Sequence, residues 1–237
     1  MNILLFGYGK MGKMIESMAV ARGHQIAGRI DPLSPDAFRS DKSPDVAIEF
    51  SIPDAAVPNI KYGIDEGIPV VCGTTGWHSR KEEVEDYCLK KSGTLFYTSN
   101  FSLGVNLFFK LNENLAKVMD KQTGYDVSID EVHHTQKKDA PSGTAITLAQ
   151  AIIKNFRRKK EWVNRETGKP DDLVINSFRI DPTPGTHTVM YQSALDDIEI
   201  KHTAHSREGF AKGAILVAEW LKGKKGVLTM DDFLAEL

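Results

Sequence analysis

The chain has 237 residues, 41% of them hydrophobic and 26% charged, which excludes a disordered chain and leaves room for one large domain or two modest ones. A net charge of −2 excludes a global positive field for nucleic acid or an anionic membrane, and the basic run Arg157–Lys160 reads as a solvated helix end. Cys72 and Cys88 form no disulfide framework, and Met1–Phe6 is apolar without a charged n-region. No stretch approaches the ~20 apolar residues of a membrane span, so the expectation is a cytoplasmic protein.

Asn2–Phe6 reads as a buried strand, and Lys10–Arg22 as a helix with Met11, Met14, Ile15, Met18 and Ala19 on one face, ended by Gly23. Further strands are expected at Gln25–Ile30, Val46–Phe50, Val70–Cys72 and Leu95–Thr98, and helices at Asp54–Glu66 and Ser79–Lys91. The last of these opens with the capping-box pattern Ser79-x-x-Glu82. Strands alternating with helices imply βαβ units and a Rossmann-type parallel sheet.

The pattern then changes. A helix Leu103–Met119 leads into a strand Tyr125–His134, a polar loop and a helix Ser142–Phe156. Strand-like runs follow at Leu173–Ile180, Thr186–Ser193 and Ile198–Thr203 on short turns, then a helix Glu208–Lys222. The expected class is α/β: a dinucleotide-type domain plus a second α+β domain with a mixed, largely antiparallel sheet.

Gly7-Tyr-Gly9-Lys-Met-Gly12 follows the first strand and opens the first helix, where a dinucleotide fingerprint belongs. One glycine makes the tight turn, one admits the pyrophosphate, and one permits close helix–sheet packing. Asp31 ends the second strand, about 20 residues further on, where a carboxylate can accept from ribose hydroxyls. Gly7, Gly9, Lys10, Met11, Gly12 and Asp31 are therefore expected to bind a cofactor, nicotinamide or flavin by this motif alone. Asp31 would repel a 2′-phosphate and Pro32 stands where an arginine would have helped, while Lys10 and Arg29 could partly offset this. NADH is expected to serve at least as well as NADPH.

The segment Glu131-Val-His133-His134-Thr-Gln-Lys137-Lys138-Asp139-Ala-Pro141-Ser142-Gly143-Thr144-Ala145 ends a strand, crosses a cationic loop and enters a helix. A helix start with free N–H groups, hydroxyls on either side of a glycine, and nearby lysines is suited to a carboxylate. Strand alternation sends His133 and His134 to opposite faces. Ser142 or Asp139 could equally cap the helix. No metal site is expected, because the two histidines adjoin rather than sit at ligand spacing. His202-Thr-Ala-His205 reads as structural or substrate-facing.

This segment resembles the signature of the dihydrodipicolinate reductase family, E-[LVA]-H-H-x-x-K-x-D-A-P-S-G-T-A, at every fixed position. The resemblance continues in Cys72-Gly73-Thr74-Thr75-Gly76, similar to the family's loop beside the nicotinamide, and in Ser99-Asn100-Phe101-Ser102-Leu-Gly104-Val105-Asn106, similar to its hinge. Gly185-Thr-His187 and Ser206-Arg207-x-x-Phe210-Ala211-x-Gly213-Ala214 match its C-terminal half. The glycine turn is one residue tighter than the family's G-x-x-G-[RK]-[MV]-G, and Asp31–Asp45 is short; both changes touch the adenosine end of the cofactor site.

The resemblance implies an NADH- or NADPH-dependent oxidoreductase that reduces 4-hydroxy-tetrahydrodipicolinate or dihydrodipicolinate to tetrahydrodipicolinate in the diaminopimelate route to lysine. It implies Lys137 as general acid, with His133 orienting substrate or assisting protonation. It further implies that His134, Lys137, Ser142, Gly143 and Thr144 would hold the substrate carboxylates, and that Gly73, Thr74, Thr75, Ser99, Asn100 and Phe101 would join the cofactor site. Residues 1–104, completed by 207–237, would bind the dinucleotide. Residues 105–206 would bind substrate and assemble a homotetramer, with hinges at Ser102–Asn106 and Ser206–Gly209. The competing readings are another two-domain dehydrogenase of aspartate-derived metabolites and a non-catalytic dinucleotide sensor.

Overall fold

The structure, a computed structural model, describes residues 1–31, 38, 39, 41–165, 167 and 169–237. The chain divides into two compact units, Met1–Ser102 with Glu208–Leu237, and Leu103–Arg207.

In the first unit the strands are β1 (Asn2–Phe6), β2 (Gln25–Ile30), β3 (Phe38–Arg39), β4 (Val46–Glu49), β5 (Val70–Cys72), β6 (Thr94–Tyr97) and, from the end of the chain, β12 (Gly226–Leu228). They form one sheet in the order β12-β6-β5-β4-β1-β2-β3. Every pairing is parallel except β2 with β3. Helices α1 (Lys10–Ala21), α2 (Pro53–Asp65), α3 (Lys81–Lys90), α6 (Glu208–Trp220) and α7 (Met230–Ala235) complete the unit. All four residues of β4 and four of the five in β1 are buried, as befits central strands of a sheet covered on both faces. The core gathers Leu4, Phe6, Ile60, Val70, Trp77 and Leu95.

The strand order reverses direction at β1, with β4 on one side and β2 on the other. Ligands of open α/β sheets bind outside the carboxyl ends of the strands at such a switch point. Gly23 lies just past α1 at φ +83°, a left-handed backbone that terminates helices.

The second unit carries α4 (Leu103–Met119), β7 (Asp126–His133), α5 (Gly143–Asn155), β8 (Glu161–Val163), β9 (Asp172–Arg179), β10 (Gly185–Gln192) and β11 (Asp197–Ala204). Its sheet runs β11-β10-β7-β9-β8 and is mixed, as expected. The β10 pairings with β11 and β7 are antiparallel, while β7–β9 and β8–β9 are parallel. The antiparallel share is smaller than the turn-linked runs suggested, because α5 and β8 intervene between β7 and β9 and return the chain in the same direction. Alternation along β7 is strict: Val127, Ile129, Glu131 and His133 are buried, their neighbours less so. The apolar members of that face pack with Leu148, Ile152, Leu173, Ile175, Val189 and Tyr191.

One expectation is corrected. Ser79 does not cap α3: the Arg80 N–H bonds to the Trp77 carbonyl at 2.9 Å, closing a 3-10 turn over His78–Arg80. Arg80 becomes the N-cap, without a side-chain bond. The capping box instead lies at Thr229 and Asp232, opening α7, an element absent from the pattern reading, as were β3, β8 and β12.

Candidate active site

The predicted cofactor residues of the first unit gather at the carboxyl ends of its strands. Gly7 stands at φ +85°, and a Cβ there would lie 2.3 Å from the Phe50 carbonyl oxygen. A Cβ on Gly12 would lie 2.3 Å from the Gly7 carbonyl oxygen. Both glycines are demanded by the turn itself. Gly9 differs, since a Cβ there would meet nothing within 4 Å. It is the N-cap of α1 and makes no side-chain cap, so the helix presents its first amides beside open space, the arrangement that receives a pyrophosphate. Lys10 is exposed and Met11 half-buried at that opening.

Asp31 clasps the turn, its Oδ2 accepting from the Tyr8 N–H at 2.8 Å. Arg29 is drawn elsewhere: its Nε donates to Glu16 Oε2 at 2.7 Å, and its guanidinium lies 4.6 Å from the centre of the Tyr8 ring. That hydrogen bond holds the Glu16 carboxyl below its ordinary range against the opposing effect of burial. The offset expected from Arg29 toward a 2′-phosphate is therefore already consumed by a carboxylate. Pro32 lies outside the described residues.

At β4 and β5, Glu49 is fully buried and accepts from the Ser51 N–H at 3.2 Å and the Cys72 thiol at 3.2 Å. The Ser51 N–H also reaches Thr74 Oγ1 at 2.8 Å, and the Trp77 indole N–H donates to the Thr74 carbonyl at 2.9 Å. The Thr74 side chain thus braces the loop from inside, while Thr75 is exposed at its tip. Gly73 has no side chain because a Cβ would strike the Phe50 ring at 2.2 Å. The Phe101 side chain is core, with ring centres 5.4 Å from Phe50 and 5.8 Å from Phe96. Of the β6 end, exposed Ser99 and half-buried Asn100 remain near the surface; Asn100 Oδ1 accepts from the Ser102 N–H at 2.9 Å.

In the second unit one buried carboxylate collects the predicted site. Glu131 Oε1 accepts from the Ser142 N–H at 3.1 Å and from Arg179 Nη2 at 3.2 Å. His133 Nδ1 lies 3.2 Å from Glu131 Oε2, off the direction of a hydrogen bond. His187 Nε2 is 3.8 Å from the same oxygen and 3.0 Å from Ser142 Oγ. The rings of His133 and His187 meet edge to face at 5.1 Å. Gly185 makes room for this, since a Cβ there would sit 3.0 Å from His133 Nε2.

Ser142 is the N-cap of α5, its Oγ accepting from the Ala145 N–H at 3.2 Å. With its hydroxyl occupied and its side chain buried, Ser142 leaves exposed Gly143 and half-buried Thr144 as the next residues of this helix start. A Cβ on Gly143 would meet nothing within 4 Å. Lys137 Nζ pairs with both oxygens of Asp139 at 2.8 Å, and this bond lowers the Asp139 pKa. Lys138 is exposed, Lys137 half-buried. Arg179 ties the loop down by donating to the carbonyls of Asp139 (2.6 Å) and Lys137 (3.3 Å). His134, the first residue past β7, accepts the Lys137 N–H at 3.1 Å through its carbonyl. His202 is tilted against Phe108, ring centres 6.0 Å apart.

Sequence reasoning assigned no role to Glu131, Arg179 or His187. Glu131 was reachable, since it shares a strand face with His133 at a spacing of two. The other two arrive by register, His187 opposite Glu131 and Arg179 opposite His133. Among the described residues, Glu131, His133 and His187 also bring ligand-capable atoms within 4.8 Å of one another. The histidine neighbour is thus His187 rather than His134. The Arg179 guanidinium and the Ser142 N–H already occupy the Glu131 oxygens that a cation would have to compete for.

Burial pushes the Glu131 pKa upward, but His133 and the Ser142 contact outweigh it and hold the carboxyl well below its ordinary range. Burial drives His187 down to about 4, His133 acting in the same direction and Glu131 against it.

A parallel sheet that gathers a glycine turn and an acidic strand end at its carboxyl edge defines a dinucleotide-binding oxidoreductase. The family models for the N-terminus and C-terminus of dihydrodipicolinate reductase match residues 1–101 and 104–234. The chain belongs to the dihydrodipicolinate reductase family. It is 48% identical to the 4-hydroxy-tetrahydrodipicolinate reductase of Christiangramia forsetii over 100% of its length and 99% of the relative's. It is 33% identical to that of Methanocorpusculum labreanum over 98% of each. Its fold is that of a dipicolinate-bound dihydrodipicolinate reductase from Paenisporosarcina, with a TM-score of 0.80 at 19% identity over 99% of both chains.

Two expected outcomes follow from these contacts. Gly9→Ala should fold with a melting temperature near the parent's yet raise the KM for the nicotinamide nucleotide about tenfold, whereas Gly12→Ala should lose stability by about 1–3 kcal/mol from overpacking. Equal effects of the two changes on melting would contradict the distinction. The second outcome concerns pH. The unfolded chain takes up the His187 proton near pH 6.5 and the folded chain only near 4. Stability is therefore full above about 6.5 and falls as pH drops through that window, by about 2 kcal/mol between pH 7 and pH 5. The lowered Glu131 carboxyl adds a loss that begins only as pH falls below its ordinary value of 4.5. Urea midpoints at pH 7 and pH 5 should show a shallower dependence in His187→Gln; an unchanged slope would exclude His187 as the source.

Proposed function

We propose that the chain catalyses the NAD(P)H-dependent reduction of 4-hydroxy-tetrahydrodipicolinate, or its dehydrated form dihydrodipicolinate, to tetrahydrodipicolinate in the diaminopimelate route to lysine. The observation that carries this is the start of α5. Exposed Gly143 borders open space there and half-buried Thr144 follows it, while the chain just before carries a half-buried lysine and a histidine against a buried carboxylate. A cyclic dicarboxylate is the ligand such a site suits. The names of the full-length relatives support the same substrate.

Gly143 and Thr144 would bind a ring carboxylate through helix N-terminal N–H groups and the Thr144 hydroxyl, with Ser142 fixing the geometry of that turn. His134 would contribute to a carboxylate from the strand end. A bound nicotinamide nucleotide supplies hydride to ring carbon 4. Negative charge then spreads into the ring, and a proton has to be delivered. Lys137 is the donor: its ammonium already holds a carboxylate, that of Asp139, and a substrate carboxylate would compete for it. His133 orients the substrate or assists that proton transfer.

The first unit would hold the nucleotide at Gly7, Gly9, Lys10, Met11, Gly12 and Asp31, with Gly73–Thr75 and Ser99–Phe101 bordering the nicotinamide. NADH is expected to serve at least as well as NADPH, because Asp31 closes on the turn and Arg29 is committed to Glu16. An acyl-enzyme dehydrogenase is disfavoured, since burial, reinforced by Glu49, pushes the Cys72 thiol far up and leaves no nucleophile there. The second unit would assemble a homotetramer through its sheet, on which Phe178 and Ile198 are exposed. A cytoplasmic setting agrees with two free, buried cysteines, and no helix among the described residues is long and apolar enough to cross a membrane.

A coupled assay with freshly synthesised ring substrate should show oxidation of NADH at least as fast, in kcat/KM, as that of NADPH. Oxidation of neither would remove the reading, and a large preference for NADPH would overturn the nucleotide assignment alone. Lys137→Ala should lower kcat by roughly 10²-fold or more, the scale of general acid catalysis, with Lys138→Ala nearly silent. The reverse pattern would move the proton donor to Lys138.

A further inference from the structure

We propose that Glu131 is the positioning carboxylate of the reductase site, one ionised side chain that sets His133, the start of α5 and the Lys137 loop together. The inference rests on the roles proposed above for those three pieces. It goes beyond them because the same carboxylate touches, or is one residue removed from, each.

Glu131 is fully buried on the inner face of β7. A carboxylate in that position is tolerated only when donors surround it. The Ser142 N–H reaches both its oxygens, at 3.1 and 3.2 Å, which fixes the residue immediately before Gly143 and Thr144. Arg179 Nη2 meets Oε1 at 3.2 Å, and the same guanidinium donates to the backbone of Lys137 and Asp139. The loop carrying the proton donor is therefore anchored through Arg179 to Glu131. His133 Nδ1 lies 3.2 Å from Oε2, off the direction of a hydrogen bond but close enough to feel its charge. A carboxylate behind one ring nitrogen favours the tautomer with its proton on that side and leaves the opposite nitrogen to the substrate.

The charged and titratable groups against Glu131 are His133 on its own strand, His187 on β10 and Arg179 on β9, with the Lys137–Asp139 pair joined through Arg179 and Asp139 feeling the Glu131 charge. Arg179 is the fixed cation against Glu131, since burial keeps His187 neutral and Lys137 is shared with Asp139. Neutralising it disfavours protonation of every basic group nearby.

The test compares the parent enzyme with Glu131→Gln and Glu131→Asp by kcat and KM for the ring substrate across pH. The expected result for Glu131→Gln is a folded protein whose kcat is ten- to a hundredfold lower. The alkaline limb of its kcat/KM profile should lie about one pH unit lower, because the anion favouring the protonated acid has gone. Glu131→Asp, which keeps the charge but draws it back by one methylene, should restore the limb while leaving kcat reduced. Imidazole ¹⁵N spectra should report the His133 proton on Nδ1 in the parent and a mixed tautomer in Glu131→Gln. A merely structural carboxylate would lower the unfolding midpoint of Glu131→Gln and leave kcat, the limb and the tautomer at parent values; that result overturns the proposal. If Glu131→Gln does not fold, Glu131→Asp decides, and a parent-like kcat in that variant overturns the proposal. Lys137→Ala and His133→Ala run alongside. Were both silent, the site assignment would fail; were they damaging with Glu131→Gln silent, only the positioning role would fail.

Discussion

Each unit of this protein is organised around a carboxylate that has been taken out of water. Glu49 ends β4 in the first unit and Glu131 lies near the end of β7 in the second, both fully buried. An unmatched charge there would cost several kcal/mol, so the surrounding chain must bring donors to it. Around Glu49 these are the Ser51 N–H and hydroxyl, the Asn59 amide and the Cys72 thiol. Around Glu131 they are the Ser142 N–H and Arg179. In both units the loops so held are those that carry the predicted ligand-binding residues.

The consequence is that loops which would otherwise be free are tied to the rigid strands beneath them. Thr74 is buried and braced, Thr75 exposed at the tip of the same loop. Ser142 is spent as a cap, while Gly143 is left open. This division between inward-facing residues that build the site and outward-facing ones that meet a ligand runs through both halves. It also sorts the glycines. Gly7, Gly12 and Gly73 are forced by close backbone or ring approaches, whereas Gly9 and Gly143 border open space, where the absence of a side chain matters only to something that binds.

Much of the fold was legible because its signals are local. The alternation of apolar strands and amphipathic helices gave a parallel sheet, and the elements from β1 to β6 fall within a few residues of their expected bounds except the two-residue β3. The short strands β8 and β12 were missed because neither is a fully buried apolar run like the equally short β5, and only a neighbouring strand defines them. The cap expected at Ser79 failed because a tight turn from Trp77 to Arg80 competes with it, and the box at Thr229 was overlooked although its spacing stood in the chain.

The candidate site divides along the same line. By itself the sequence determined the residue types and their order: the glycine turn with Asp31, and the strand end, lysine loop and helix start from Glu131 to Thr144. These are contiguous, so spacing along the chain is enough to read them. Only the tertiary structure decided that His187 and Arg179 stand beside Glu131, that Ser142 turns inward, and that Arg29 answers to Glu16. Those choices depend on strand register and on which charges share a dry environment, and neither is encoded in any one stretch of residues.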